Sequence, residues 1–290
     1  MTMMKKHTVL YSIIILLLFF CFPEVIISSS TSYYFRTLGI NDGLSQSTVN
    51  AILQDQKGFM WIGTKDGLNQ YDGQECRVFQ KENSSLGNNF ITALYEDCEG
   101  YIWVGTDAGV YIYNPVQEAF QFLDTEIASS GEKITRAVTW ITSDSQNNIW
   151  ISVDNQGLFC YNRGKKNLTK VVSCGKSGIA NVTHFWFYAG QLWIARYEDN
   201  LYVSKDNSSF NAFNDVDGED IFKGLVINSY VEGLHNCLYV GTSKGLMEIN
   251  LTSRKVRKLL DEYVRDICFR SDTDLWIGTE QGLYIYNVET

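Results

Sequence analysis

Two short stretches, Val153-Asp154-Asn155-Gln156 and Arg196-Tyr197-Glu198-Asp199, gather side chains suited to holding a polar small molecule. Asn155, Gln156, Arg196, Glu198 and Asp199 offer amide, guanidinium and carboxylate hydrogen bonds, and Tyr197 offers an aromatic platform. That combination suits a sugar, whose hydroxyls need polar partners and whose ring faces need an apolar plane. A catalytic set is harder to assemble. After the N-terminal apolar run only two histidines occur, His184 and His235. His184 lies in an aromatic run, HFWFY, and is expected to be packed. His235 lies in a Gly-Leu-His-Asn turn and is expected to face water. The acidic cluster Asp215–Asp220, DVDGED, resembles the start of a calcium loop. It lacks the later Asp/Asn spacing and the distal Glu, so it reads as a solvated loop. Paired carboxylates for glycoside cleavage meet only in space and leave no linear trace. Cysteines 76, 98, 160, 174, 237 and 268 show neither CxxC pairs nor metal spacing and read as isolated small side chains. No cofactor or metal site is expected.

The elements that position these residues come from a repeat. FMWIGTKDGLNQYDG at 59–73 returns as YIWVGTDAGVYIYN at 101–114 and DLWIGTEQGLYIYN at 274–287. Looser copies are NIWISVDNQGLFCYN (148–162), QLWIARYEDNLYVS (191–204) and CLYVGTSKGLMEIN (237–250). The anchors are Trp61, Trp103, Trp150, Trp193, Tyr239 and Trp276, spaced 42, 47, 43, 46 and 37 residues apart. A period of about 40–45 residues is that of a propeller blade. Each copy splits into four short strands with hairpin-sized gaps. In the first they are 49–54, 59–64, 67–72 and 76–80. The fold class is therefore all-β, a β-propeller of four-stranded blades with six repeats.

Residue types within a repeat follow from that geometry. Asp55, Asp97 and Asp144 precede a Gly or Asn by three residues, a turn-building pattern in which the carboxylate accepts backbone N–H groups. Gly67, Gly109, Gly157, Gly245 and Gly282 close the next hairpin in the left-handed region, with Asn200 expected to do so in the fourth repeat. A Trp wedged between blades removes roughly 150–250 Å² from water. Gly63, Gly105, Gly241 and Gly278 then let neighbouring sheets approach. The third and fourth repeats place one extra residue between anchor and turn. Their loops share one face of the ring, which is why Asn155, Gln156, Arg196, Tyr197, Glu198 and Asp199 stand out as candidate ligand contacts. The sixth repeat has only three strands (264–270, 274–279, 282–287), and Tyr33–Leu38 is expected to supply its fourth.

The N-terminus is different in kind. Lys5, Lys6 and His7 precede an apolar run, Val9–Phe22, too short for the roughly 20 residues of a membrane span. Residues 1–30 read as a cleaved signal peptide and 31–290 as the propeller. Without Lys5, Lys6 and Glu24, 22 basic and 32 acidic side chains remain. Such an acidic surface argues against nucleic acid and anionic lipid as partners.

F-x-x-L-x-x-x-x-G-L-S at 35–45 followed by VNAILQDQKGFMWIGTKDGLNQYDG at 49–73 resembles the two-component regulator propeller repeat. The resemblance spans nearly all of 33–290 and is loosest in the fourth repeat. It implies a periplasmic, non-catalytic sensor of polysaccharide breakdown products, with an oligosaccharide or other small ligand as partner. It also implies a longer parent carrying a membrane helix, a histidine kinase and a homodimeric arrangement. The six repeats, against seven in the family, and the missing kinase motif suggest an N-terminal fragment of that parent. An exported glycan-active enzyme and a protein-interaction scaffold are the competing readings.

Overall fold

The computed structural model describes residues 33–171, 181–207 and 209–289. The leader assigned to residues 1–30 and Cys174 lie outside them. The chain divides into residues 1–37 and 38–290. Within the second unit, a short 3-10 turn at Ile40–Asp42 precedes six antiparallel sheets whose strands follow chain order. Blade one is Val49–Gln54, Met60–Thr64, Gly67–Tyr71 and Cys76–Phe79. Blades two to five repeat the plan, with inner strands Ile91–Glu96, Val138–Ser143, Val182–Tyr188 and Ile227–Glu232. Blade six holds three strands, Val264–Phe269, Asp274–Thr279 and Leu283–Asn287.

Second strands of the middle blades are buried on both faces, as in Ile102–Thr106, because each is sandwiched between neighbouring sheets. Consecutive blades meet along their inner strands. A side chain on Gly63 would stand 2.5 Å from Ile91 Cγ2, one on Gly105 2.8 Å from Val138 Cγ1, and one on Gly241 2.6 Å from Val264 Cγ1. Each glycine thus receives the first residue of the next blade. Polar side chains bind the same junctions. The Asn50 Nδ2 group donates to the Ile91 carbonyl at 2.8 Å, and Asn228 Nδ2 to the Val264 carbonyl at 2.7 Å.

The seam between blades six and one lacks this packing. Gly278 meets only the Asp266 backbone of its own sheet, and nothing stands near Gly282. Leu283, Tyr284 and Ile285 are exposed on one side of the seam, and Val49 and Ile52 on the other. Tyr33–Leu38 forms no strand, and blade six keeps three strands, which corrects the expected fourth. An aromatic segment has strand propensity, but propensity alone does not make a strand without a sheet edge to extend.

Aromatic side chains fill the inner strands. Trp140 and His184 lie 4.6 Å apart between ring centres, and Trp186 stacks on Tyr230 at 4.2 Å. Trp140 and Tyr230, from blades three and five, also approach to 6.5 Å.

Candidate functional site

In blades one to three the hairpin between first and second strands is built on an aspartate. Asp55 Oδ1 accepts N–H groups of Lys57 and Phe59 at 3.0 and 2.9 Å, and Gly58 adopts φ +91°. Asp97 and Asp144 repeat the arrangement. So does Asp215, which accepts from Asp217 and Glu219 with Gly218 at φ +80°. The DVDGED cluster is therefore one more such turn. The second oxygen has a role that the linear pattern did not disclose. Asp55, Asp97 and Asp144 each accept the anchor indole N–H, from Trp61, Trp103 and Trp150, at 2.8, 2.7 and 2.9 Å. Burial acts to raise the Asp144 pKa. Donors from Asn148, Trp150 and the backbone outweigh it and hold the carboxyl below its usual range.

Hairpins between second and third strands use threonine. Thr64 Oγ1 donates to the Gly67 carbonyl and accepts the Asp66 N–H, and Thr106, Thr242 and Thr279 repeat the first bond. Blades three and four have no such threonine, and here lie the six residues singled out from sequence. Asn155 takes the left-handed conformation, φ +56°, and its amide donates to Asp154. Gln156 Oε1 is buried with no partner among the described residues. Arg196 pairs with Asp199 at 2.8 Å and lies over the Tyr202 ring. Tyr197 is 54% exposed, and Glu198 is left-handed at φ +48°. Asn200 does not take the left-handed conformation expected of it. It is buried, its carbonyl closes the turn on the Arg196 N–H at 3.3 Å, and its side chain accepts the Leu201 N–H. The extra loop residue moves the left-handed position back to Glu198.

Both loops join second to third strands, so antiparallel order puts them on one rim of the ring. Clefts open on the opposite rim, beside the hairpins that join first to second strands. One, of about 520 Å³, lies between blades one and two and includes Asp55, Trp61, Arg77, Glu96, Glu99 and Glu118. Another, of about 650 Å³, lies between blades four and five and includes Trp193, Lys205, Phe213 and Arg254. Neither is lined by the six loop residues. A cleft between blades needs two repeats to form, so no single-repeat pattern signals it.

His184 is half-buried against Trp140, and desolvation pushes its imidazole down to about 4. His235 is exposed, as expected. The described cysteines are free, with Cys98 and Cys268 at the surface.

A family model described as two component regulator propeller matches residues 43–66, 85–108 and 258–281. Each match contains the glycine-leucine or strand residues leading into an anchor or its turn. The chain carries two component regulator propeller repeats. The extracellular domain assigned to a hybrid two component system of B. thetaiotaomicron is 26% identical, with a TM-score of 0.73, covering 88% of this chain and 35% of that one. A 50-residue stretch is 42% identical to Histidine kinase P4 of Formosa agariphila, covering 17% of this chain and 4% of that protein. The chain thus spans about a third of the sensor structure it matches, and a small part of the kinase. Virginiamycin B lyase of Staphylococcus aureus shares the fold alone, at 12% identity and a TM-score of 0.60 over 83% of this chain. No helix among the described residues is long and apolar enough to cross a membrane.

Proposed function

We propose that this propeller is the periplasmic, ligand-sensing part of a two-component signalling protein and that it detects oligosaccharides released from polysaccharides. The observation that carries the reading is the 26% identity to a hybrid two component system's extracellular domain, sustained over 88% of the chain together with the family repeats. Output would pass to a histidine kinase in the longer protein, with ligand favouring one of two arrangements of a homodimer. The ligand contacts proposed are Asn155, Gln156, Arg196, Tyr197, Glu198 and Asp199. Support comes from the half-exposed Tyr197 ring beside the Arg196–Asp199 pair, and from a rim where the threonine turn is broken in two adjacent blades. Loops on a rigid scaffold are free to carry such contacts.

Isothermal titration of the purified chain with oligosaccharide digests tests the reading. Saturable binding is expected, weakened roughly tenfold by Tyr197→Ala through loss of the platform. Release of new reducing ends during the titration would instead make the chain an enzyme. Absence of affinity for every digest would leave it as a scaffold.

A further inference from the structure

The anchor of blade four departs from those of blades one to three. Trp61, Trp103 and Trp150 each give their indole N–H to a turn carboxylate. Trp193 is 3% exposed, and its N–H has no acceptor among the described residues. The reason is local. The hairpin between Val182–Tyr188 and Gln191–Arg196 is only Ala189-Gly190, both with positive φ, and it contains no aspartate. Unpartnered indoles also occur at Trp140 and Trp186, but those belong to inner strands and do not line a cleft.

Trp193 lines the 650 Å³ cleft between blades four and five, beside Gln191, Lys205, Asn211, Phe213 and Arg254. Its ring lies 5.3 Å from that of Phe213, giving the cleft an aromatic wall. Two cations face one carboxylate there, Lys205 and Arg254 against Asp206. The Asp206 carboxylate already accepts from Ser204 and from the Ser209 N–H and hydroxyl. Lys205 makes no ion pair among the described residues. Arg254 lies over Phe213 and donates from two nitrogens to the Asn214 carbonyl, leaving further N–H groups of its guanidinium for a ligand. The cleft between blades one and two has the opposite balance, with Asp55, Glu96, Glu99 and Glu118 against Lys57 and Arg77. A cationic hollow in a chain of formal charge −9 is a local exception.

We propose that the cleft between blades four and five binds an acidic sugar, a hexuronate unit, whose carboxylate takes the place that the turn aspartate holds in blades one to three. The sugar ring sits in the mouth of the cleft, above the narrow exposed edges of Trp193 and Phe213, which are 3% and 5% exposed. The carboxylate accepts from the Trp193 N–H after a small shift of the covering turn, and pairs with Lys205 and Arg254. Gln191 and Asn211 supply hydroxyl contacts. This site is on the rim opposite the loops of blades three and four, and it stands or falls separately from them.

The test is isothermal titration of the full chain at low salt with glucuronate and galacturonate, and with glucose and galactose as neutral counterparts. The uronates are expected to bind at least roughly tenfold more tightly than the neutral sugars, since a charge-assisted hydrogen bond is about twice as strong as a neutral one. Trp193→Phe keeps the ring and removes the donor. Lys205→Gln alters an exposed side chain and leaves folding alone. Each should weaken uronate binding about tenfold, while Lys244→Gln, which removes an exposed charge on the opposite rim, should leave it unchanged. Equal affinity for glucose and glucuronate, no uronate binding, or full affinity in Lys205→Gln overturns the proposal. Loss of neutral oligosaccharide binding in Tyr197→Ala alone bears on the loop site instead.

Discussion

At the scale of the residue, one carboxylate does two jobs in each of the first three blades. Asp55 turns the chain through Oδ1 and ties down Trp61 through Oδ2. Replacing Trp61 by Phe keeps most of the buried ring but leaves that oxygen unpaired in a half-buried corner, at a cost of about 1–3 kcal/mol. Trp193→Phe removes a donor that already lacks a partner and should be neutral or slightly stabilising. Urea unfolding of the two variants checks the contrast, and equal destabilisation would show that ring packing alone sets both. Asp144 adds a pH signature. Its folded pKa is lowered, so its contribution is present above the unfolded value of 3.8 and is lost as pH falls through the folded value. Trp150→Phe removes one of the stabilising donors, so the variant should lose less stability than the parent when taken from neutral pH to about pH 2. Acid titration of unfolding midpoints reads the difference. The turn-building role of these aspartates was legible from D-x-x-G spacing. Their grip on the indole was not, because it joins residues six apart across a strand start.

At the scale of the element, strand positions were legible almost to the residue, since a repeated motif fixes register six times over. The left-handed position in blade four was misplaced at Asn200, because a one-residue insertion can be absorbed anywhere in a loop and here Glu198 absorbs it. The candidate ligand loops were found by the same irregularity, but their internal pairing, Arg196 with Asp199, needed the fold. The spacer glycines separate into two kinds that sequence shows as one. Gly63→Ala drives a methyl to 2.5 Å from Ile91 Cγ2, whereas Gly278→Ala meets only backbone at 3.5 Å. The first should cost about 1–3 kcal/mol by overpacking. The second should stay within about 0.5 kcal/mol. Thermal unfolding of both variants decides whether the blade junction is as tight as the geometry requires. His184 reports on the inner strands. Its pKa falls from 6.5 to about 4 on folding, so the unfolded chain takes up a proton first as the solution is acidified. Stability should therefore fall between those two values, with a slope approaching roughly 1.4 kcal/mol per pH unit. His184→Gln should flatten that slope in denaturant titrations between pH 6.5 and 4.

At the scale of the whole molecule, the blades are chemically similar but not equally protected. Blades two to five are covered on both faces, and their second strands are buried along nearly their whole length, as in Ile149–Val153. Blades one and six each present one face to the seam. The inner strand of blade one exposes Val49 and Ile52, and the last strand of blade six exposes Leu283, Tyr284 and Ile285. In a repeat array, stability is close to a sum of blade and interface contributions, so a blade with one interface opens more readily than a blade with two. Local opening then tracks the missing apolar contacts. Amide hydrogen exchange of the full chain should show the fastest exchange of any strand interior in Leu283–Asn287, followed by Val49–Gln54. Val138–Ser143 and Ile149–Val153 should be slowest, approaching global unfolding. Ordering matters more than absolute rates, because ligand binding to either rim would slow all blades but not reverse their rank. Uniform protection across the six blades would mean that the seam is covered in solution. In that case Ile52→Lys and Tyr284→Lys, which place charges on its two sides, should restore the expected gradient by excluding whatever covers it.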